Sequence, residues 1–326
     1  MTNLPRNTIL QGDALARLRE LPSVSVDCVI TSPPYYQLRN YGVNGQIGLE
    51  ETVDDWVERL RLVCGEVARV LKPTGALWLN LGDSLSRHVR YGAPPKSFLL
   101  GPERLVLALV RDGWIVRNKV IWAKTNPMPN SVRDRLNATH EVVYFLVRSR
   151  SYHFSLDAIR EPHRSRAARS ARPVPLVPPT WTGPLAGRND GLLRARAAGQ
   201  PGHPLGRNPG DVWQLATRGF RGAHFATFPE ALVRRPLLAT CPRWVCVGCG
   251  APHRREPGCS CRAGVVPGLV LDPFFGTGTV GVVARAHGRD WLGIELSKTY
   301  VALAWDRLNG KAPRHHERAA PLEAAA

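Results

Sequence analysis

The chain has 326 residues, is 44% hydrophobic and 21% charged, and carries Lys+Arg 44 against Asp+Glu 26, a formal charge of +18. That composition excludes a wholly disordered chain, and the length asks for one large α/β domain with an insertion or for two domains. The best apolar run, Leu105 to Val110, falls far short of the roughly 18 residues that span a bilayer, and Met1 to Arg6 hold no basic-then-apolar leader, so the expectation is a cytoplasmic protein with no membrane partner.

Asn7 to Gln11 reads as a short strand ending at Gly12-Asp13, with a helix following through Glu20. Val24 to Thr31 is a β-branched strand stopped by Pro33-Pro34. Thr52 to Leu71 sets Val53, Trp56, Val57, Leu60, Val63, Val67 and Val70 at helical spacing, and Lys72-Pro73-Thr74-Gly75 ends that helix. Ala76 to Leu81 reads as a strand, Glu103 to Asp112 as a helix, Ile115 to Trp122 as a strand, and His140 to Val147 as a further, antiparallel strand. After an irregular stretch, order resumes at Phe228 to Leu238. A strand at Leu269 to Leu271, a Gly-rich turn, a helix, a strand at Trp291 to Ile294 and a helix from Lys298 to Leu308 complete the series. Strands alternating with helices predict an α/β fold: a Rossmann-like, doubly wound, mostly parallel sheet with an antiparallel edge hairpin.

Two segments break that texture. Residues 160–222 hold eleven Arg, no Lys, three acids (Glu161, Asp190, Asp211), nine Pro and nine Gly, with little periodicity. The local net charge of +8 suits the phosphate backbone of a nucleic acid, and a solvated Arg-rich linker is the other reading. Farther on, five of the seven Cys fall within residues 241–261. Cys246-x₂-Cys249 followed by Cys259-x-Cys261 offers four thiolates for a closed, structural Zn2+ site, with Cys241 and His253 as substitute ligands and unligated surface thiols as the alternative. Cys28 and Cys64 lie in apolar-periodic segments and are expected in the core. The expected organisation is 1–159, an insert at 160–222, a second half at 223–310 with its Cys-rich excursion at 241–262, and a flexible tail at 311–326.

Leu269 to Asp272 run into Pro273-Phe274-Phe275-Gly276-Thr277-Gly278-Thr279, a strand, a tight turn and a helix start. Gly276 and Gly278 let the backbone approach a ligand where a Cβ would clash, and Glu295, at the end of the next strand, can accept both hydroxyls of a ribose. Lacking a third glycine, the turn suits a nucleoside cofactor without a pyrophosphate better than NAD. Thr31-Ser32-Pro33-Pro34-Tyr35 ends a buried strand with an extended backbone whose carbonyls are expected as free acceptors, beside a hydroxyl and an aromatic face. A planar heterocycle bearing an exocyclic amine fits those acceptors; a mere strand-ending turn is the other reading.

These motifs, in this order and with the Arg-rich stretch between them, resemble the beta class of S-adenosylmethionine-dependent DNA amino-methyltransferases. The signatures of that class are a [D/N/S]-P-P-[Y/F/W] tetrapeptide and an F-x-G-x-G loop. The resemblance covers nearly the whole chain, and Thr-Ser-Pro-Pro-Tyr is most similar to the cytosine-N4 enzymes, since adenine-N6 enzymes usually carry Asp at the first position. It implies Ser32, Pro33, Pro34 and Tyr35 as catalytic residues. It places Asp13, Asp272, Pro273, Phe274, Phe275, Gly276, Gly278, Thr279 and Glu295 around S-adenosyl-L-methionine, with Phe228 to Pro236 flanking the methionine end. Residues 160–222 stand in the place of the target-recognition region. Arg39, Tyr41, Arg164, Arg166, Arg169 and Arg172 are the expected contacts to double-stranded DNA, from which the target base is flipped. A cognate restriction endonuclease and a homodimer are further partners such an enzyme can have. An adenine-N6 methyltransferase, a methyltransferase of RNA or of a protein amide, and a non-catalytic zinc-bearing DNA-binding protein on the same fold stay open beside the cytosine-N4 reading.

Overall fold

The computed structural model describes residues 4–163, 203–217, 228–253, 259–261 and 263–311. Its strands are β1 (Thr8–Gln11), β2 (Val26–Thr31), β3 (Leu71–Leu81), β4 (Ile115–Lys124), β5 (His140–Val147), β6 (Val212–Leu215), β7 (Trp244–Cys246), β8 (Pro252–His253), β9 (Val265–Pro267), β10 (Leu269–Asp272) and β11 (Asp290–Glu295). The helices are α1 (Ala14–Glu20), α2 (Val53–Val70), α3 (Gly101–Arg111), α4 (Glu230–Thr240), α5 (Thr279–Ala286) and α6 (Lys298–Leu308). No described helix is long and apolar enough to cross a membrane.

Burial with period two builds the central sheet. Leu77, Leu79 and Leu81 of β3 and Val142, Tyr144 and Leu146 of β5 join one core with α1, α2 and α3. The alternate residues Ala76, Trp78, Val143, Phe145 and Val147 join a second core with α4, α5 and α6 on the opposite face. Trp78 stacks on Phe145 at 4.3 Å, and side chains of this size contribute roughly 1.5–3 kcal/mol each when fully buried. α2 begins where the spacing predicts, because Thr52 and Asp55 form a reciprocal capping box. The strand order is β1-β11-β10-β2-β3-β5-β4-β6, and only β5 runs against the others. A separate three-stranded sheet, β8-β7-β9, lies within the Cys-rich excursion.

Several expectations need correction. β2 starts at Val26, because Val24 adopts a left-handed backbone (φ 55°) that no strand accommodates. β3 starts at Leu71, directly after the helix, since Leu71 pairs with Val26 and Lys72 reaches Asp27. The β4–β5 hairpin is not the sheet edge: β6 adds outside it, parallel to β4. β6 comes from the Arg-rich stretch, and its buried Trp213 is held between Trp78 at 6.0 Å and the Arg235 guanidinium at 4.8 Å.

The chain divides into two compact units, Met1–Phe154 with Asp211–Ala326, and Ser155–Gly210. Among the described residues of the second unit, Glu161 and Arg207 pair through their backbones and form an ion pair. Arg164, Arg166, Arg169 and Arg172 lie outside the described residues, as does the expected tail beyond Lys311.

β2 and β10 share only two paired positions, Cys28 with Val270 and Val29 with Leu271, and side chains close both ends of this short seam. At the amino end, Asp27 accepts Leu269 N at 2.8 Å and Lys72 Nζ at 2.6 Å. At the carboxyl end, Thr31 Oγ1 donates at 2.7 Å to Asp272 Oδ1, which also accepts Phe274 N at 3.0 Å. Asp272 is fully buried, and its Oδ2 has no hydrogen-bond partner among the described residues. Desolvation outweighs the two bonds and pushes this carboxyl up to about 7.

That shift has a thermodynamic consequence. From its ordinary 3.8 up to about 7, the unfolded chain releases the proton that the folded chain keeps, so stability falls as pH rises across that window and levels off above it. Asp272→Asn keeps the acceptor and removes the titration. Urea unfolding should therefore show the variant gaining on the wild type, by on the order of a few kcal/mol, between acid and neutral pH. Parallel pH profiles would clear Asp272 of this role.

Candidate active site

The helices that follow β2 and β10 pack on opposite faces of the sheet, so the chain parts where the two strands end. Doubly wound sheets bind ligands in that crevice. A cavity of about 970 Å³ lies here, walled by Ser32 to Tyr35 from one motif and by Pro273 to Thr277, Thr279 and Glu295 from the other. Asp13, at the N-cap of α1, lines the same cavity, its carboxylate accepting Ala16 N at 2.9 Å.

At one end, Gly276 takes a left-handed backbone (φ 51°), and a Cβ there would meet nothing within 4 Å, so the turn leaves open space beside its α-carbon. Its N–H donates to Glu295 Oε2 at 2.7 Å, and Ser297 N donates to Oε1 at 2.8 Å. Burial raises the Glu295 pKa, and these amide donors oppose the rise. Each carboxylate oxygen keeps acceptor capacity for a second donor. Tyr41 meets Tyr300 edge-on at 6.2 Å on this wall, and Phe228 lines it too.

At the other end lies a polar network. Tyr35 Oη donates to Glu141 Oε2 at 2.6 Å and lies 3.1 Å from Ser32 Oγ. Asn80 Nδ2 is 2.8 Å from Tyr35 Oη, 2.9 Å from Glu141 Oε2 and 3.2 Å from Ser32 Oγ. Lys124 Nζ pairs with Glu141 Oε1 at 2.6 Å and sits over the Trp122 ring at 5.3 Å. The Tyr35 ring lies against Gly82, where a Cβ would come within 2.6 Å of Cε2. Burial, then the Glu141 charge, push the Tyr35 pKa up.

The structure redistributes several expected roles. The Phe275 ring is 3% exposed and stacks on Trp291 at 5.2 Å, behind the loop, where Gly293 leaves room for it. Gly278 does not line the cavity; it caps α5 in a left-handed conformation (φ 79°), and a Cβ there would press on Ala304 and Phe275 at 3.2 Å. Asp272 likewise sits beneath the loop it ties to Thr31. Arg39 and Tyr41 line the cavity itself. The Pro34 carbonyl is not free, because Trp56 Nε1 donates to it at 2.9 Å. Asn80, Lys124 and Glu141 were missed. Asn80 and Glu141 sit in segments read only as strands, Lys124 lies beyond the expected strand end at Trp122, and a lone polar residue within Ala76 to Leu81 was the available signal.

The Cys246, Cys249, Cys259 and Cys261 sulfur atoms lie within 4.8 Å of one another. Four soft donors so close suit a tetrahedral Zn2+, whose ligand sulfurs stand about 3.8 Å apart when each Zn–S bond is ~2.3 Å. Cys241 is instead fully buried in the second core, as Cys28 is, and Cys64 is buried in the first. His253 Nε2 lies 3.5 Å from Cys259 Sγ, beside the cluster. β9 leads straight into the amino end of β10, so the cluster belongs to the end of the sheet opposite the cavity.

Comparison with known proteins agrees with this geometry. Residues 26–306 match the N6/N4 methyltransferase family, described as DNA methylase. The chain is 36% identical to the Type II methyltransferase M.Cfr9I of Citrobacter freundii over 93% of this chain and 88% of that protein. Its fold is similar to that of the PvuII DNA methyltransferase, described as cytosine-N4-specific (TM-score 0.60, 18% identity, 93% of this chain and 86% of the other). It is also similar to that of a Thermus thermophilus protein solved in complex with S-adenosyl-L-methionine (TM-score 0.55, 23% identity, 94% of each). Two motifs on adjacent strands, one shared cavity and a family match over most of its length lead to one conclusion: the chain belongs to the N6/N4 family of DNA methylases, which take their methyl group from S-adenosylmethionine.

Proposed function

We propose that the chain methylates the exocyclic N4 amine of cytosine at specific sites in duplex DNA, with the target base flipped into the cavity. The observation that carries the choice of base is Ser32: a neutral hydroxyl, not a carboxylate, stands first in the tetrapeptide at the cavity wall. The fold shared with the PvuII enzyme supports the same choice. The charge of +18 supports a polyanion as substrate, and Arg39 lies at the cavity to meet it. We assign target recognition to residues 160–222.

S-adenosylmethionine, when bound, supplies a methyl group activated by its positive sulfur. Glu295 is placed to accept the ribose hydroxyls, and the open space at Gly276 admits the ligand close to the backbone. Asp13 follows Gly12, whose N–H donates to the Glu295 carbonyl, and the resemblance sets the adenine near it. Ser32 Oγ and the Pro33 carbonyl accept the two N–H groups of the target amine. Those bonds draw its lone pair out of ring conjugation and hold the nitrogen for in-line attack. Tyr35 offers its ring to the base. No cysteine lines the cavity among the described residues, and direct transfer requires none.

Ser32→Ala should lower kcat while leaving DNA affinity intact, and nucleosides from DNA methylated by the wild type should contain N4-methylcytosine by mass spectrometry. N6-methyladenine in its place would transfer the case to the adenine reading. Glu295→Ala should weaken cofactor binding by roughly 1.5–3 kcal/mol, the worth of a charge-assisted bidentate contact, as calorimetry would register.

We also assign a structural Zn2+ to Cys246, Cys249, Cys259 and Cys261. It would pin a Gly- and Pro-containing excursion that holds little apolar surface of its own. Elemental analysis of unchelated protein should find about one equivalent, as a closed four-thiolate site requires, and Cys249→Ser should lower both zinc content and thermal stability. A zinc-free protein with unchanged stability is the outcome that removes the metal.

A further inference from the structure

Methyl transfer to an amine leaves a proton on a cationic nitrogen, and the Ser32 hydroxyl is too weak a base to retain it. Behind Ser32 the structure holds an acceptor. Ser32 Oγ, Tyr35 Oη and Glu141 Oε2 follow one another at 3.1 and 2.6 Å, from the cavity wall to a carboxylate.

Asn80 backs this row, and the Tyr35 bond to Glu141 sets its direction. Asn80 Nδ2 lies within hydrogen-bonding distance of both hydroxyl oxygens and of Glu141 Oε2. The opposite amide orientation would set a carbonyl oxygen 2.9 Å from that carboxylate oxygen, a repulsive contact, so the nitrogen faces the row. An amide nitrogen only donates. Its two hydrogens are shared among these three oxygens, and because the single Tyr35 hydrogen goes to Glu141, Ser32 is the donor in the contact between the two hydroxyls. Lys124 completes the far end as the ion-pair partner of Glu141.

We propose that Ser32, Tyr35 and Glu141 form a proton relay, flanked by Asn80, in which Glu141 receives the proton released by the methylated amine. This rests on the tetrapeptide being the amine-binding site. The nitrogen lone pair forms the N–C bond while the C–S electron pair leaves with sulfur. The proton on nitrogen passes to Ser32 Oγ, the Ser32 hydroxyl proton to Tyr35 Oη, and the Tyr35 proton to Glu141 Oε2. The products are a neutral methylated amine, a neutral thioether, two intact hydroxyls and a protonated carboxyl. Glu141 lines the cavity, so its proton can leave to water once the products depart. Between turnovers burial keeps Tyr35 protonated, as a relay member must be.

The test uses the full chain, labelled S-adenosylmethionine and DNA from a host without methylation. Glu141→Gln keeps the shape and the contact to Tyr35 but cannot take the proton, so kcat should fall about 100-fold with both KM values little changed. Glu141→Asp should recover a large part of that loss. Tyr35→Phe should lose a similar factor, and the double variant no more than either alone, since a relay broken once is broken. A Glu141→Gln rate close to wild type, or losses that multiply in the double variant, would overturn the relay. Identifying the methylated base in the same wild-type sample separates that outcome from failure of the cytosine assignment, because the rate ratio is independent of which base is methylated.

Discussion

One buried hydrogen bond, from Thr31 to Asp272, couples the two motifs on which the site depends. Thr31 opens the tetrapeptide segment and Asp272 opens the glycine loop, and each ends its strand at that point. The seam between these strands is only two residue pairs long, so backbone pairing alone would leave their ends loosely placed. The bond fixes their separation, and a buried carboxylate with one oxygen unpartnered is its energetic cost. Strain of this kind is tolerated where the surrounding packing over-determines it. Here both cores press on the seam, with Val29 and Leu271 on one face and Cys28 and Val270 on the other.

The parts of the fold legible in the sequence were those with a local physical signature. Helical spacing from Val53 to Val70, the short apolar runs of β3 and β5, and the Pro-Pro stop after Ser32 all act over a few residues. β6 was illegible for a definite reason: four residues in an Arg- and Pro-rich setting carry too short a pattern, and the partners of the buried Trp213, Trp78 and Arg235, are distant in sequence. The glycine loop was recognised as a motif, but a motif does not state which side of the turn faces the ligand. Phe275 and Gly278 face inward because Gly293 makes room for one ring and Ala304 approaches the other backbone, both set by strands and helices distant in sequence.

The polar network was missed for the opposite reason. Asn80 and Glu141 are polar residues in mostly apolar strands, and Lys124 lies past the expected end of its strand at Trp122. Convergence comes from the antiparallel turn of β5, which brings Glu141 opposite Trp122 and next to Lys124, while Leu81 at the end of β3 pairs with Val142. Among the strands of the main sheet β5 alone runs backwards, and so its amino end, not its carboxyl end, delivers a carboxylate to the cavity. A uniformly parallel sheet would have placed Glu141 at the far side, among the residues that carry stability and no chemistry.

The adjacency of β2 and β10 bears on how such a chain can be wired. The two motif-bearing strands are neighbours in the sheet although most of the polypeptide runs between them. The site is therefore indifferent to the route taken from one to the other. Length, composition and even the order of the two halves can drift while the Thr31–Asp272 contact is kept. A scaffold of this type separates inheritance of chemistry from inheritance of connectivity, and a gene encoding its halves in reverse sequence would meet the same geometric demand at the seam.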